Sequence, residues 1–195
     1  MDAARTLLKR AFGRPEGMLG RFGGIVMARM NRQAAAWGIE LLEPGKNGRV
    51  LEIGFGPGVA IDLLARSAPD LRVTGIDPSS EMVRQAHRRN AAAIGRNAVD
   101  LRQGSADDLP FDDESFDAAL AINSMQAWPD AMAGLREVRR VVRPGGRLVL
   151  VFTPYSGQGR AGITELLSQA GFVEVREVEG DAGFAALARK PRPAS

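Results

Sequence analysis

Apolar residues recur at two spacings along this chain. Over residues 1–14 the interval is helical, with Leu7, Leu8, Ala11 and Phe12 on one side and Arg5, Lys9 and Arg10 on the other, which predicts an amphipathic helix. Pro15 and the glycines at 17, 20, 23 and 24 interrupt it. A second helix is expected from about Ile25 to Trp37, carrying Met27, Met30, Ala34 and Trp37, and Pro44-Gly45-Lys46-Asn47-Gly48 forms the turn after it. From Arg49 onward short apolar runs at 50–53, 72–76, 99–102, 116–122 and 147–153 read as strands. Helical patterns at about 59–67, 79–94, 131–142 and 161–170 alternate with them. That alternation predicts an α/β, doubly wound, mostly parallel sheet with helices on both faces. Two further strands, 172–178 and 184–189, flank the turn Glu179 to Gly183 and make a C-terminal antiparallel hairpin, for seven strands in all. The expected organisation is a helical cap region over 1–48, a core over 49–190 and a tail over 191–195, forming one domain.

One stretch organises the rest: Val50-Leu51-Glu52-Ile53-Gly54-Phe55-Gly56-Pro57-Gly58. A short strand runs into a glycine turn, and helical spacing resumes at Val59. Glycines let the backbone approach a ligand closely at a helix N-terminus. A dinucleotide fingerprint would need its third glycine at position 59, which is Val59. Asp77 ends the second strand, where an acid can accept both hydroxyls of a ribose; the same residue could cap the helix that follows.

The run E-x-G-x-G-x-G resembles motif I of the class I S-adenosylmethionine-dependent methyltransferases. Gly104-Ser105-Ala106-Asp107-Asp108-Leu109-Pro110-Phe111 resembles the G-D-A-x-x-L-P-F loop that holds adenine in that family. Ser105 stands where an acid is usual, which leaves Ser105, Asp107 or the backbone to meet the adenine amino group. Asn123-Ser124-Met125-Gln126-Ala127-Trp128-Pro129-Asp130 resembles the L-H-H-W-P-D loop of small-molecule members, with Gln126 and Ala127 in place of histidines. Glu137 to Arg147 is similar to motif III. The resemblance spans 45–153 and points to the menaquinone and ubiquinone C-methylating type on a Rossmann-like sheet.

It implies an enzyme that takes S-adenosylmethionine, releases S-adenosylhomocysteine and does not bind NAD. The implied cofactor residues are Glu52, Gly54, Phe55, Gly56, Gly58, Asp77, Pro78, Met82, Ser105, Ala106, Asp107 and Asn123. No catalytic residue is identified; Gln126, Trp128 and Tyr155 are the candidates near the methyl group, and none is a strong base. That favours an acceptor with an acidic proton or an already nucleophilic atom, or catalysis by proximity alone. His87 is expected on the surface of the helix after Asp77.

Composition narrows the alternatives. A chain of 195 residues with 45% hydrophobic content fits one core. No apolar run is long enough to span a membrane, no signal peptide is recognisable, and the lack of cysteine fits a reducing interior, so a cytoplasmic protein is expected. A single histidine excludes multi-histidine metal sites, and the acids at 112–114 read as a solvated turn, so no metal is expected. The first 49 residues carry nine Lys or Arg against four acids, which keeps an RNA methyltransferase as an alternative. Only Phe12 and Phe22 stand among those charges as stacking platforms, and 123–126 does not read [DN]-P-P-[YF]. A nicotinamide dehydrogenase would pair a Tyr with a Lys, whereas the one Tyr is Tyr155 and no Lys lies between Lys46 and Lys190. A non-catalytic S-adenosylmethionine-binding module is the third reading. The favoured one is in-line methyl transfer to a small-molecule acceptor, by a monomer or homodimer, under a cover formed from about Gly17 to Asn31.

Overall fold

The computed structural model describes residues 32–193. The expected helix over 1–14, the glycine-rich segment, the first part of the second helix and the expected cover from Gly17 to Asn31 lie outside the described residues.

Residues 32–42 form α1. The chain continues through β1 (Arg49–Ile53), α2 (Val59–Ser67), β2 (Arg72–Asp77), α3 (Ser80–Arg89), α4 (Ala91–Gly95) and β3 (Val99–Gln103). It then forms β4 (Phe116–Ile122), α5 (Ala131–Val141), β5 (Val142–Phe152), α6 (Ile163–Gln169), β6 (Val173–Gly180) and β7 (Gly183–Arg189). The seven strands make one sheet in the order β3-β2-β1-β4-β5-β7-β6. Strands β1 to β5 pair in parallel, and β7 runs antiparallel to both β5 and β6. The expected α/β, mostly parallel seven-stranded sheet with a C-terminal hairpin is the fold observed.

The apolar runs have a direct cause. Inner parallel strands are covered on both faces, so both sets of alternating side chains must be apolar. In β5, Leu148, Leu150 and Phe152 face one core with Leu135, Val138 and Val141 of α5 and Ile163 and Leu167 of α6. Val149 and Val151 face the other, with Ala34, Ala35 and Leu42 of α1 and Ala60, Ile61 and Leu64 of α2. The helix α1 therefore shares the core of the sheet.

Two elements differ from the pattern in the sequence. The helix expected over 79–94 breaks at Asn90, whose side-chain amide donates to Ala86 O at 2.9 Å and to Gly58 O at 3.2 Å. The break fastens the helix to the glycine turn 32 residues away. Pro144-Gly145-Gly146 falls between the helix expected over 131–142 and the strand expected over 147–153. Instead α5 stops at Val141 and β5 starts at Val142, and the pairing with β4 shifts between Phe116 and Ala118. The Pro-Gly-Gly run is thus a bulge inside the strand, held by hydrogen bonds between Gly145 N and Lys190 O and between Lys190 N and Gly146 O.

Gly58 precedes α2 with φ at 77°. A Cβ there would stand 2.6 Å from Asn90 Nδ2 and 2.8 Å from the Ala86 Cβ. Both the backbone angle and the close approach of α3 demand glycine. Gly58→Ala is expected to lower the unfolding free energy by about 1–3 kcal/mol, the combined scale of left-handed strain and overpacking. A urea melt reads this as a lower midpoint; an unchanged midpoint contradicts the packing described.

Candidate active site

The order of the strands reverses between β1 and β4: the chain moves outward through β2 and β3, then returns to the far side of β1. A crevice opens at such a switch point, beyond the carboxyl ends of the strands. Here it holds a cavity of about 240 Å³. The end of β1 supplies Glu52, the turn after it Gly54, Phe55 and Gly56, the end of β2 Asp77 and Pro78, and α3 adds Met82. Ser105 and Ala106 come from the loop after β3, and Asn123 and Trp128 from the loop after β4.

The wall is drawn tight where β1 meets β4. Gly54 has φ at 72°, and a Cβ on it would lie 2.4 Å from the Ser124 Cβ. The Ser124 hydroxyl donates to Ile53 O at 2.6 Å, closing the seam. On the other side, Gly56 N donates to Asp77 Oδ2 at 2.8 Å and Ser79 N to Asp77 Oδ1 at 2.9 Å. Asp77 therefore ties the glycine turn to the start of α3. The cap of α3 is Ser79, which accepts from Met82 N, so Asp77 does not serve as the capping residue.

Glu52 is the second acid of the cavity. It lies in β1, an inner strand of the sheet, 2% exposed, and its Oε2 has no hydrogen-bond partner. Burial pushes its carboxyl well above the ordinary value of 4.5, the Asp77 carboxylate pushes the same way, and the Ile61 amide pulls back. Asp77 is also raised by burial, opposed by the Ser79 and Gly56 amides. With two backbone donors opposing its burial, Asp77 is raised less, and Glu52 is the acid of the pair that holds a proton more tightly.

The loop after β4 is uncharged from Asn123 to Pro129. Asn123 Oδ1 accepts from Thr153 N at 2.8 Å, which fixes the loop to the end of β5. Of the three catalytic candidates, only Trp128 lines the cavity. Gln126 is exposed and donates to Asn123 O at 2.7 Å. Tyr155 is 81% exposed and lies off the cavity wall. Among the expected cofactor residues, Gly58 and Asp107 are also absent from the wall: Gly58 faces α3, and Asp107 accepts from the Ser105 hydroxyl. His87 is exposed on α3, and the acids at 113 and 114 pair with Arg140 and Lys190. Among the described residues no cluster of His, Asp or Glu could hold a metal ion, and no helix is long and apolar enough to cross a membrane.

A family profile described as "Methyltransferase domain" matches residues 51–150, which include the glycine turn, both acids and the loops after β3 and β4. The chain belongs to the class I S-adenosylmethionine-dependent methyltransferases. Among curated proteins, this methyltransferase is 27% identical over 181 residues to the uncharacterized methyltransferase YdaC of Bacillus subtilis, covering 86% of this chain and 97% of the relative. It is 32% identical over 123 residues to the ubiquinone/menaquinone biosynthesis C-methyltransferase UbiE of Geotalea daltonii, covering 63% of this chain and 52% of that one. It thus spans nearly all of the first relative and about half of the second. Its fold matches a putative S-adenosyl-L-methionine-dependent methyltransferase of Methanococcus maripaludis with a TM-score of 0.75 at 19% identity, over 88% of this chain and 94% of the other.

The residues of the methyltransferase's cavity fit the family's cofactor. A buried carboxyl oxygen without a partner suits the ammonium of an amino-acid moiety, and the lone pairs left on Asp77 suit neutral hydroxyls. Sequence reasoning passed over Ala35 of α1 and Ser124, both on the wall. The run Ala34-Ala35-Ala36 signals a helix that packs closely, and Ser124 is the small residue that lets Gly54 approach. Neither pattern names a cavity by itself.

The proton on Glu52 has a measurable consequence. The folded state keeps a proton that the unfolded chain gives up. The contribution of Glu52 to stability is therefore greatest below the ordinary glutamate range and is lost as pH rises through its raised value. Glu52→Gln keeps the shape and removes the titration. Its melting temperature should exceed that of the wild type by a margin that widens over this window. A margin independent of pH would contradict the assignment of the proton.

Proposed function

We propose that the chain binds S-adenosylmethionine in the crevice between β1 and β4 and methylates a neutral small molecule. The observation that carries this reading is one cavity with two buried acids on one side and an uncharged loop on the other. Asp77 would hold the ribose hydroxyls while its backbone donors oppose the effect of its burial. Glu52 would receive the ammonium of the amino-acid portion, and Ser105 and Ala106 would border the adenine. When bound, S-adenosylmethionine supplies a methyl group already activated on a positively charged sulfur.

The chain's own contribution is then alignment and exclusion of water. Positioning of this kind supplies ~7–11 kcal/mol in favourable cases. Phe55, Ile76, Met82 and Ile122 make the wall apolar where water must be kept out. Ala35 places α1 on the same wall, which supports reading the N-terminal region, residues 1–48, as the cover of a core over 49–190. No side chain from Asn123 to Pro129 is a base at neutral pH. Asp130, the next ionisable residue, accepts from Met132 N and Ala133 N at the start of α5. An acceptor that loses its proton to water, or reacts through a nucleophilic atom, suits this wall. The relative named for quinone C-methylation supports an acceptor of that kind.

The test is transfer of labelled methyl from S-adenosylmethionine to a panel of quinols, phenols and hydroxy acids, with transfer RNA and ribosomal RNA alongside. Label should enter a small neutral acceptor. Asp77→Asn should raise the KM for the donor about tenfold, the factor that ~1.4 kcal/mol represents, within the range for a lost charged hydrogen bond. Label in RNA alone would overturn the acceptor class. Saturable NAD binding without S-adenosylhomocysteine binding would overturn the cofactor.

A further inference from the structure

The loop between β3 and β4 forms one wall of the cavity at its near end and is gripped by a helix at its far end. Gly104, Ser105 and Ala106 line the cavity. Gly104 N donates to Asp77 O at 3.1 Å, anchoring that end to β2. Beyond it the loop makes little backbone structure of its own: a bridge between Ser105 and Asp108, and a bond from Phe111 N to Leu109 O at 2.8 Å. The carbonyl of Phe111 and the amide of Leu109 need partners from elsewhere, and the carbonyl of Leu109 has a second lone pair to fill.

One side-chain pair on α5 supplies them. Arg140 Nη2 donates to Leu109 O at 2.9 Å, and Nη1 donates to Phe111 O at 2.7 Å and to Asp113 Oδ1 at 2.9 Å. Its Nε and Nη2 donate to the two oxygens of Glu137, each at 2.7 Å. All five N–H groups of the guanidinium are therefore engaged, so its plane has no freedom to turn. Glu137 Oε2 in turn accepts from Leu109 N at 3.0 Å. The bonds from Arg140 hold the Glu137 carboxyl below its usual range. The backbone closes the same contact once more, from Glu114 N to Arg140 O at 3.1 Å.

We propose that Glu137 and Arg140 are positioning residues that set the affinity for the adenosine part of the donor by fixing the loop from Gly104 to Phe111. The proposal rests on the reading of the cavity as the S-adenosylmethionine site. Leu109 is three residues from Ala106, and both are buried in one core cluster. Ser105 and Ala106 are therefore held between two anchors, the Asp77 carbonyl on one side and the clamp on the other. Releasing the clamp leaves the wall tethered at one end, and a ligand must then spend binding energy to order it. A lysine could reach one carbonyl but cannot engage two carbonyls and two carboxylates in one plane.

The experiment compares wild type, Arg140→Lys and Arg140→Met by calorimetry with S-adenosylhomocysteine and with adenosine, and by steady-state kinetics. Both ligands should bind roughly tenfold more weakly to Arg140→Met, with Arg140→Lys between it and wild type. The KM for S-adenosylmethionine should rise in step, and kcat at saturating donor should stay near the wild-type value. A merely structural role would lower the melting temperature and the active fraction but leave the Kd of the folded protein unchanged. If Arg140→Met fails to fold, Glu137→Gln decides on the same readouts. Wild-type affinity in these folded variants would overturn the clamp and leave the cofactor reading standing. A wild type that binds no S-adenosylhomocysteine would overturn both.

Discussion

The Asp77 carboxylate is the contact on which the rest of the site depends. It accepts the Gly56 and Ser79 amides at once, and so fixes the glycine turn, the end of β2 and the start of α3 relative to one another. Two backbone donors also oppose the effect of its burial, 6% exposed beside a second acid. Glu52 has only the Ile61 amide in that role. Its burial with an unpaired oxygen costs stability in the free protein, and the cost has a use only if a cation arrives there. Local destabilisation of this kind is ordinary at sites shaped for a ligand rather than for the fold.

Much of this was legible in the sequence, and for physical reasons. Inner parallel strands are apolar on both faces, so β1, β4 and the end of β5 announce themselves as short unbroken runs. The glycine turn announces itself because strand, turn and helix must follow in that order. Other features depend on partners far along the chain and leave no local trace. Asn90 breaks a helix because its amide reaches Gly58 O, and Pro144 to Gly146 bulge because Lys190 pairs with them. Direction was the hardest property to read. Gly58 belongs to the glycine run yet faces α3, and Tyr155 comes three residues after β5 yet is exposed and off the cavity wall. The pairing of Glu137 with Arg140 is visible at helical spacing, but the carbonyls it serves are 29 and 31 residues away.

Family membership rests on a match that spans the crevice from β1 to β5, whereas acceptor identity turns on a smaller part of the molecule. The profile match covers the residues that build the donor side of the crevice. In the proposed reading the acceptor side is the loop after β4, where the sequence departs from the family pattern at Gln126 and Ala127, together with α1. An uncharged wall there shifts the chemical burden onto the acceptor itself, which must bring its own nucleophilic atom. Methyl transfer from an activated sulfonium tolerates this, because alignment rather than proton transfer dominates the barrier it lowers.

The central claim is that the two buried acids hold two different parts of one donor, the ribose and the amino group. A crystal structure with S-adenosylhomocysteine bound tests it most directly. The account predicts both ribose hydroxyls on the Asp77 carboxylate, the amino group within hydrogen-bond reach of Glu52, and the adenine against Ser105 and Ala106. A ligand seated away from the crevice between β1 and β4, or one whose ribose and amino group make no contact with these two acids, would contradict it.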